Sequence, residues 1–246
     1  KYHEIIVITL ATYTFSALTI AIVNIVRYLK KNEYVYSCGK VISLISASVS
    51  MLTLTNTMLA TFGSCEKLVS IDTTGWNTSS LETTRECFIG CKSLQSIDLS
   101  HWNTESLTTM SYMFISCEKI ENINLSNWDL SNVTTAYSMF SKCFELQSIN
   151  LTGWDVSNIS DIRYLFHNCY VLTEIIGIDN WSFGTLVPAG IEYMFYGCQS
   201  LESLDLRGWN VSNVPSMRAM FAGCINLKTL NLRKVKKKKK LMIFWI

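Results

Sequence analysis

The sequence predicts an α/β solenoid of about seven coils, each a short parallel strand plus a short helix, preceded by a hairpin of two apolar helices. Three observations carry that expectation. Seven cysteines fall at 65, 91, 117, 143, 169, 198 and 224, a spacing of 26 broken once by 29. Tryptophans at 76, 102, 128, 154, 181 and 209 and phenylalanines three residues before each cysteine keep step with them. Ahead of this repeat, two long stretches carry no charge. Self-similarity at a fixed period of this length is the signature of stacked supersecondary units.

The hairpin comes first, over residues 1–62. Residues 5–26, IIVITLATYTFSALTIAIVNIV, contain no charged side chain and are long enough to cross a bilayer core of about 30 Å. Arg27, Lys30 and Lys31 follow, and a first helix is expected over about 5–29. A second, over 41–62, is uncharged but rich in Ser and Thr, whose hydroxyls bond helix carbonyls or a neighbouring helix. A buried soluble helix is the alternative for that span. Four basic residues against Glu33 in the connecting loop place it in the cytoplasm and everything after Phe62 outside.

The repeats occupy residues 63–233. One unit reads M-F-x-x-C-x-x-L-x-x-I-[DN]-L-S-x-W-[DN]-x-S-N-V-T-x-M. LQSIDLS (94–100) alternates apolar and polar residues as a half-buried strand does. SNVTTAYSMFSKC (131–143) returns apolar residues at about helical spacing, after residues that favour turns and helix entry. No unit buries its apolar side alone, so the units stack at roughly 4.8 Å into a parallel sheet over one continuous core.

The stretch MFISCEKIENINLSNWDLSNVTTAYSMF (113–140) resembles the 26-residue leucine-rich repeat of BspA-like bacterial surface proteins, also found in mycoplasma lipoprotein-type arrays. The resemblance covers about 62–232 and rests on the joint Cys, Trp and Met-Phe registers. It implies a right-handed leucine-rich repeat solenoid in a bacterial cell-surface protein acting by adhesion or protein binding. The sequence departs from that family at both ends: membrane-like sequence replaces the N-terminal cap, and the last unit breaks off.

A residue that recurs in every coil usually serves the coil. Cys91, Cys117, Cys143 and Cys169 therefore read as small buried side chains at a corner, with a disulfide ladder or soft-metal site as the rival. Trp102, Trp128 and Trp154 read as corner-filling rings, with a glycan-stacking row as the rival, and Phe114 and Phe140 as core. Binding is expected on outward strand positions: Asp72, Asp98, Asn122, Asn124, Ser126, Asn150, Asp205, Arg207 and Asn231. Asn substitutes for Asp too freely along this column for a calcium site. The fifth unit carries one extra residue before Trp181 and two more before Cys198. Its Phe183 and Pro188 are expected on an exposed insertion loop, with Phe183 as an aromatic anchor.

Function classes narrow accordingly. Apolar residues make up 49% and charged residues 16%, and five of the positive charges behind the net +2 sit in one lysine run. The remainder is slightly acidic, which argues against nucleic acid. No G-x-S-x-G, phosphate loop or H-E-x-x-H occurs, so no enzyme, cofactor or metal is expected. Seven N-x-[ST] sequons, among them Asn132 and Asn158, arise from the repeat itself. Residues 234–246, a basic and apolar tail, read as a truncated or frame-shifted end, because an adenine homopolymer encodes a lysine run. The expectation is a membrane-tethered protein whose extracytoplasmic solenoid binds an extracellular protein, a host or matrix macromolecule, or a glycan. The rivals are a piece of a polytopic transport or signalling protein with accessory repeats, and a non-functional fusion.

Overall fold

The computed structural model describes residues 56–179 and 181–232. They wind into seven stacked coils that begin at residues 57, 83, 109, 135, 161, 190 and 216. Coils 2 to 7 each contribute one short strand: β1 (Ser96–Asp98), β2 (Asn122–Asn124), β3 (Ser148–Asn150), β4 (Glu174–Ile176), β5 (Ser203–Leu206) and β6 (Thr229–Leu232). All pairings are parallel and one full coil apart, with Ile97 opposite Ile123 and Ile149 opposite Ile175. A second parallel ladder runs along the start of each coil, from Thr57 through Thr83, Thr109 and Thr135 to Asp161.

The solenoid and its strands match the sequence expectation, but the short helix does not. Among the described residues no helix occurs. The return segment is instead a row of turns. In coil 3, Met113, Ile115 and Cys117 donate to Met110, Tyr112 and Phe114, three residues back. The intervening Met110, Tyr112, Phe114 and Ser116 donate to the next coil at 2.8–3.1 Å. Two residues per row take positive φ, here Tyr112 and Ser116, which no helix tolerates. Spacing gives the reason. Successive Phe rings stack at 5.2–6.0 Å, close to the inter-strand distance, whereas a helix with side chains needs about 10 Å. Helices would splay the coils; turns that share hydrogen bonds with the next coil do not.

Inside the coils the repeat registers form columns. Met110, Met113, Phe114, Cys117, Ile120, Ile123 and Leu125 of coil 3 are all buried, as are their counterparts in neighbouring coils. The predicted helix over 41–62 requires a correction at its end. Residues 56–62 belong to the first coil, where Thr57 pairs with Thr83 and Met58 and Phe62 enter the core. Among the described residues no helix is long and apolar enough to cross a membrane. The span over 5–29, the rest of the second span and the tail over 234–246 lie outside the described residues.

The sheet is interrupted once. β1 to β4 form one sheet and β5 with β6 another, and no backbone hydrogen bond joins β4 to β5. The extra residue before Trp181 is the cause. Ile178 sits three residues before Trp181, as Leu99 does before Trp102, so one residue bulges out at Ile176–Gly177. Gly177 takes φ +83, and a Cβ there would lie 2.5 Å from the backbone nitrogen of Thr152.

Candidate functional site

The strand face is the site this architecture offers. Each strand buries its middle residue and turns its flanking residues outward. Across β1 to β4 this makes an open trough of about 390 Å³, lined by Ser96, Asp98, Asn122, Asn124, Ser148, Asn150 and Ile176. The trough thus unites Asp98, Asn122, Asn124 and Asn150 of the predicted binding residues. Asp72 is exposed in coil 1, and Asp205, Arg207 and Asn231 lie beyond the sheet break.

Hydrogen bonding divides the outward residues into two kinds. The Asp/Asn column closes Asx turns: Ser100, Ser126, Thr152 and Thr74 donate backbone N–H groups to Asp98, Asn124, Asn150 and Asp72 at 2.9–3.2 Å. The same bonds hold the carboxyls low. Asp98 is depressed chiefly by the hydroxyl and N–H of Ser100, and Asp72 by the N–H of Thr74. Asn and Asp share this role because each supplies the accepting oxygen. The neighbouring column, Ser96, Asn122, Ser148 and Glu174, engages no side-chain partner among the described residues and is free to bind. The outward position of this column is legible from the period-two alternation, although Asn122 alone of it stands among the expected binding residues. Ile176 takes the Asp/Asn register in β4 and is 44% exposed, an apolar residue in an otherwise polar column.

Arg207 does not supply the positive patch its position suggests. It forms a two-pronged ion pair with Asp205, with contacts of 2.6–3.0 Å, which lowers the Asp205 carboxyl and neutralises the charge. Both side chains are exposed, so the pair adds little stability.

The recurrent residues serve the core. Cys91, Cys117, Cys143 and Cys169 are fully buried thiols outside any disulfide, and each donates to the phenylalanine carbonyl one coil back at 3.1–3.3 Å. Burial drives the Cys117, Cys143 and Cys169 thiols well above their ordinary range, so they stay protonated and unreactive. Trp102 stacks between Trp76 and Trp128 at 6.1–6.3 Å, Trp154 stacks on Trp181 at 6.4 Å, and the burial of all five leaves no ring face for a sugar. Phe114 and Phe140 are equally buried.

Phe183 corrects the expectation of an exposed anchor. It is 5% exposed and packs edge-on against Trp209 at 4.9 Å and Trp181 at 6.5 Å. It stands two residues after Trp181, the register of the buried Leu130 and Val156, so the two residues added between Trp181 and Cys198 lie after it. Pro188 is exposed, on that later stretch. The sequons at Asn132 and Asn158 are also structural: their amide nitrogens donate to Glu105 and Ser131 one coil back. Among the described residues no three His, Cys, Asp or Glu side chains converge on a metal-sized site.

A family model described as "Mycoplasma protein of unknown function, DUF285" matches residues 56–181 and again 144–243. No curated protein and no solved structure matches the chain.

Proposed function

The chain belongs to the Mycoplasma protein family of unknown function DUF285, and on that premise we propose that its solenoid is an adhesion or protein-binding module. The observation that carries this reading is the open trough over β1 to β4. Its free polar column and the exposed Ile176 are features the coil itself does not need. An apolar anchor beside unengaged hydroxyl and amide groups suits a protein surface, where a few apolar contacts supply affinity and polar groups set orientation. The resemblance to BspA-like leucine-rich repeats supports a bacterial cell-surface setting, and the uncharged run over 5–26 supports a membrane tether. The partner is an extracellular protein or matrix macromolecule.

The test is adhesion of the full chain to cell monolayers and to reconstituted extracellular matrix. An Asn122→Arg, Ser148→Arg, Ile176→Asp variant is expected to lose at least about tenfold in binding, the scale of one or two disrupted contacts. Unchanged adhesion by a folded triple variant overturns the assignment of the strand face.

A further inference from the structure

A row of half-buried tyrosines runs along the flank formed by the turn segments, over coils 3 to 6. Tyr112 and Tyr137 have ring centroids 5.1 Å apart, Tyr137 and Tyr164 5.5 Å, and Tyr164 and Tyr193 4.8 Å. The last pair is nearly coplanar in orientation, with 3° between the ring planes. The coil does not require these rings. At the register of Tyr112, Tyr164 and Tyr193 stand Ala60, Glu86, Ser138 and Ala219, and all seven positions take positive φ. That conformation is unfavourable for a bulky side chain, so aromatic residues there are the exception.

The closest pair of the row lies at the junction where the sheet is broken. Tyr164 belongs to coil 5 with β4, and Tyr193 to coil 6 with β5. Along the turn segments the two coils remain bonded, through Tyr164 N–H to Glu192 O and Phe166 N–H to Met194 O. Their strands share no such bond. Among the described residues, the tyrosines are also the oxidisable rings a surface reagent meets first. The tryptophan column is at most 7% exposed, and the thiols of coils 2 to 7 are fully buried. Guanidinium groups stand nearer the competing pair, Arg85 over Tyr112 at 5.3 Å and Arg163 over Tyr137 at 4.9 Å, and discourage electron removal there more than Arg218 does at 6.0 Å from Tyr193.

We infer that Tyr164 and Tyr193 form an oxidative coupling site, at which a peroxide-driven one-electron oxidant joins the two rings as dityrosine and staples coil 5 to coil 6. Each phenol gives one electron to the oxidant and one proton to water. The two phenoxyl radicals combine through the carbons ortho to their oxygens, forming one C–C bond. Loss of the ring hydrogens from those carbons to the phenolic oxygens restores both aromatic systems. One hydrogen peroxide is reduced to two waters as the protein loses two hydrogens in all.

The experiment exposes the dilute full chain to peroxidase and hydrogen peroxide, then reads dityrosine fluorescence, monomer mass and the cross-linked peptide. A monomer lacking two hydrogens, with Tyr164 and Tyr193 in one cross-linked peptide, is expected. Tyr164→Phe and Tyr193→Phe should each abolish the monomer signal, while Tyr112→Phe leaves it. Dityrosine confined to covalent dimers, or mapped to other tyrosines, overturns the site. Amide exchange over 174–176 and 203–206 should slow in the cross-linked monomer, and unchanged exchange there overturns the stapling role.

Discussion

At the level of single residues, repetition and function separate. The cysteine, tryptophan and phenylalanine that make the repeat conspicuous are buried in continuous columns, and their chemistry is spent on packing. The Asp/Asn column occupies the expected outward position, yet its oxygens already close Asx turns, a local bond that the composition hinted at only through Asp–Asn interchange. Phe183 was misplaced because the added residues were counted as one loop; aligned from Trp181, it falls in the core column of Leu130 and Val156. His167 gives this scale its pH dependence. Its ring stacks on Tyr196 at 5.1 Å, meets Tyr164 edge-on, and approaches the buried Ser141 hydroxyl at 3.2 Å. Burial, then the charge of Lys142, lowers its pKa from the ordinary value near 6.5. Above that value the ring is neutral in both the folded and unfolded states, so stability is unaffected. As the pH falls below it, the unfolded chain binds the proton first and stability is lost progressively until the folded-state pKa is passed. His167→Gln should flatten the pH dependence of urea-denaturation midpoints just below about pH 6.5, and an identical slope in the variant would exclude His167 as the source.

At the level of elements, the return segment is decided by its neighbours. Met110, Met113, Phe114 and Cys117 fall at i, i+3, i+4 and i+7, the spacing of an amphipathic helix, so periodicity alone could not distinguish a helix from a row of turns. Half of its N–H groups bond the next coil, and that partner is invisible to any local reading. Two predictions belong here. Thr78 and Thr84 have buried hydroxyls without a hydrogen-bond partner; the Thr78 register holds the bonded Thr104 and the apolar Leu130 and Val156 in later coils, and the Thr84 register holds Met110 and Ile162. Thr78→Val and Thr84→Val should each stabilise by about 1 kcal/mol in chemical denaturation, because the desolvated hydroxyl is removed at constant shape. Gly177→Ala should destabilise by about 3 kcal/mol or more, since its Cβ would strike the Thr152 backbone as well as sit at positive φ. Gly153→Ala meets nothing within 4 Å and should cost only about 1 kcal/mol for its φ of +87.

For the whole molecule, stability is a sum of coil and interface terms, so the weakest interface sets where the stack opens. The β4–β5 junction lacks the strand hydrogen bonds that join the other neighbouring strands, although the aromatic columns continue across it with Phe166 and Phe195 5.8 Å apart. Native-state hydrogen exchange should therefore show β5 and β6 opening at lower denaturant than β2 and β3. Uniform protection across all six strands would show that the columns, not the sheet, govern cooperativity.

The sequence by itself determined the period, the number of coils, the inward columns and the outward strand positions. Those follow from side-chain type at a fixed spacing, and burial obeys them wherever the coils stack. Only the tertiary structure decided the backbone of the return segment, the engagement of the Asp/Asn oxygens and the break between β4 and β5. Each depends on where a hydrogen bond finds its partner, and in this molecule many of those partners lie a full coil away.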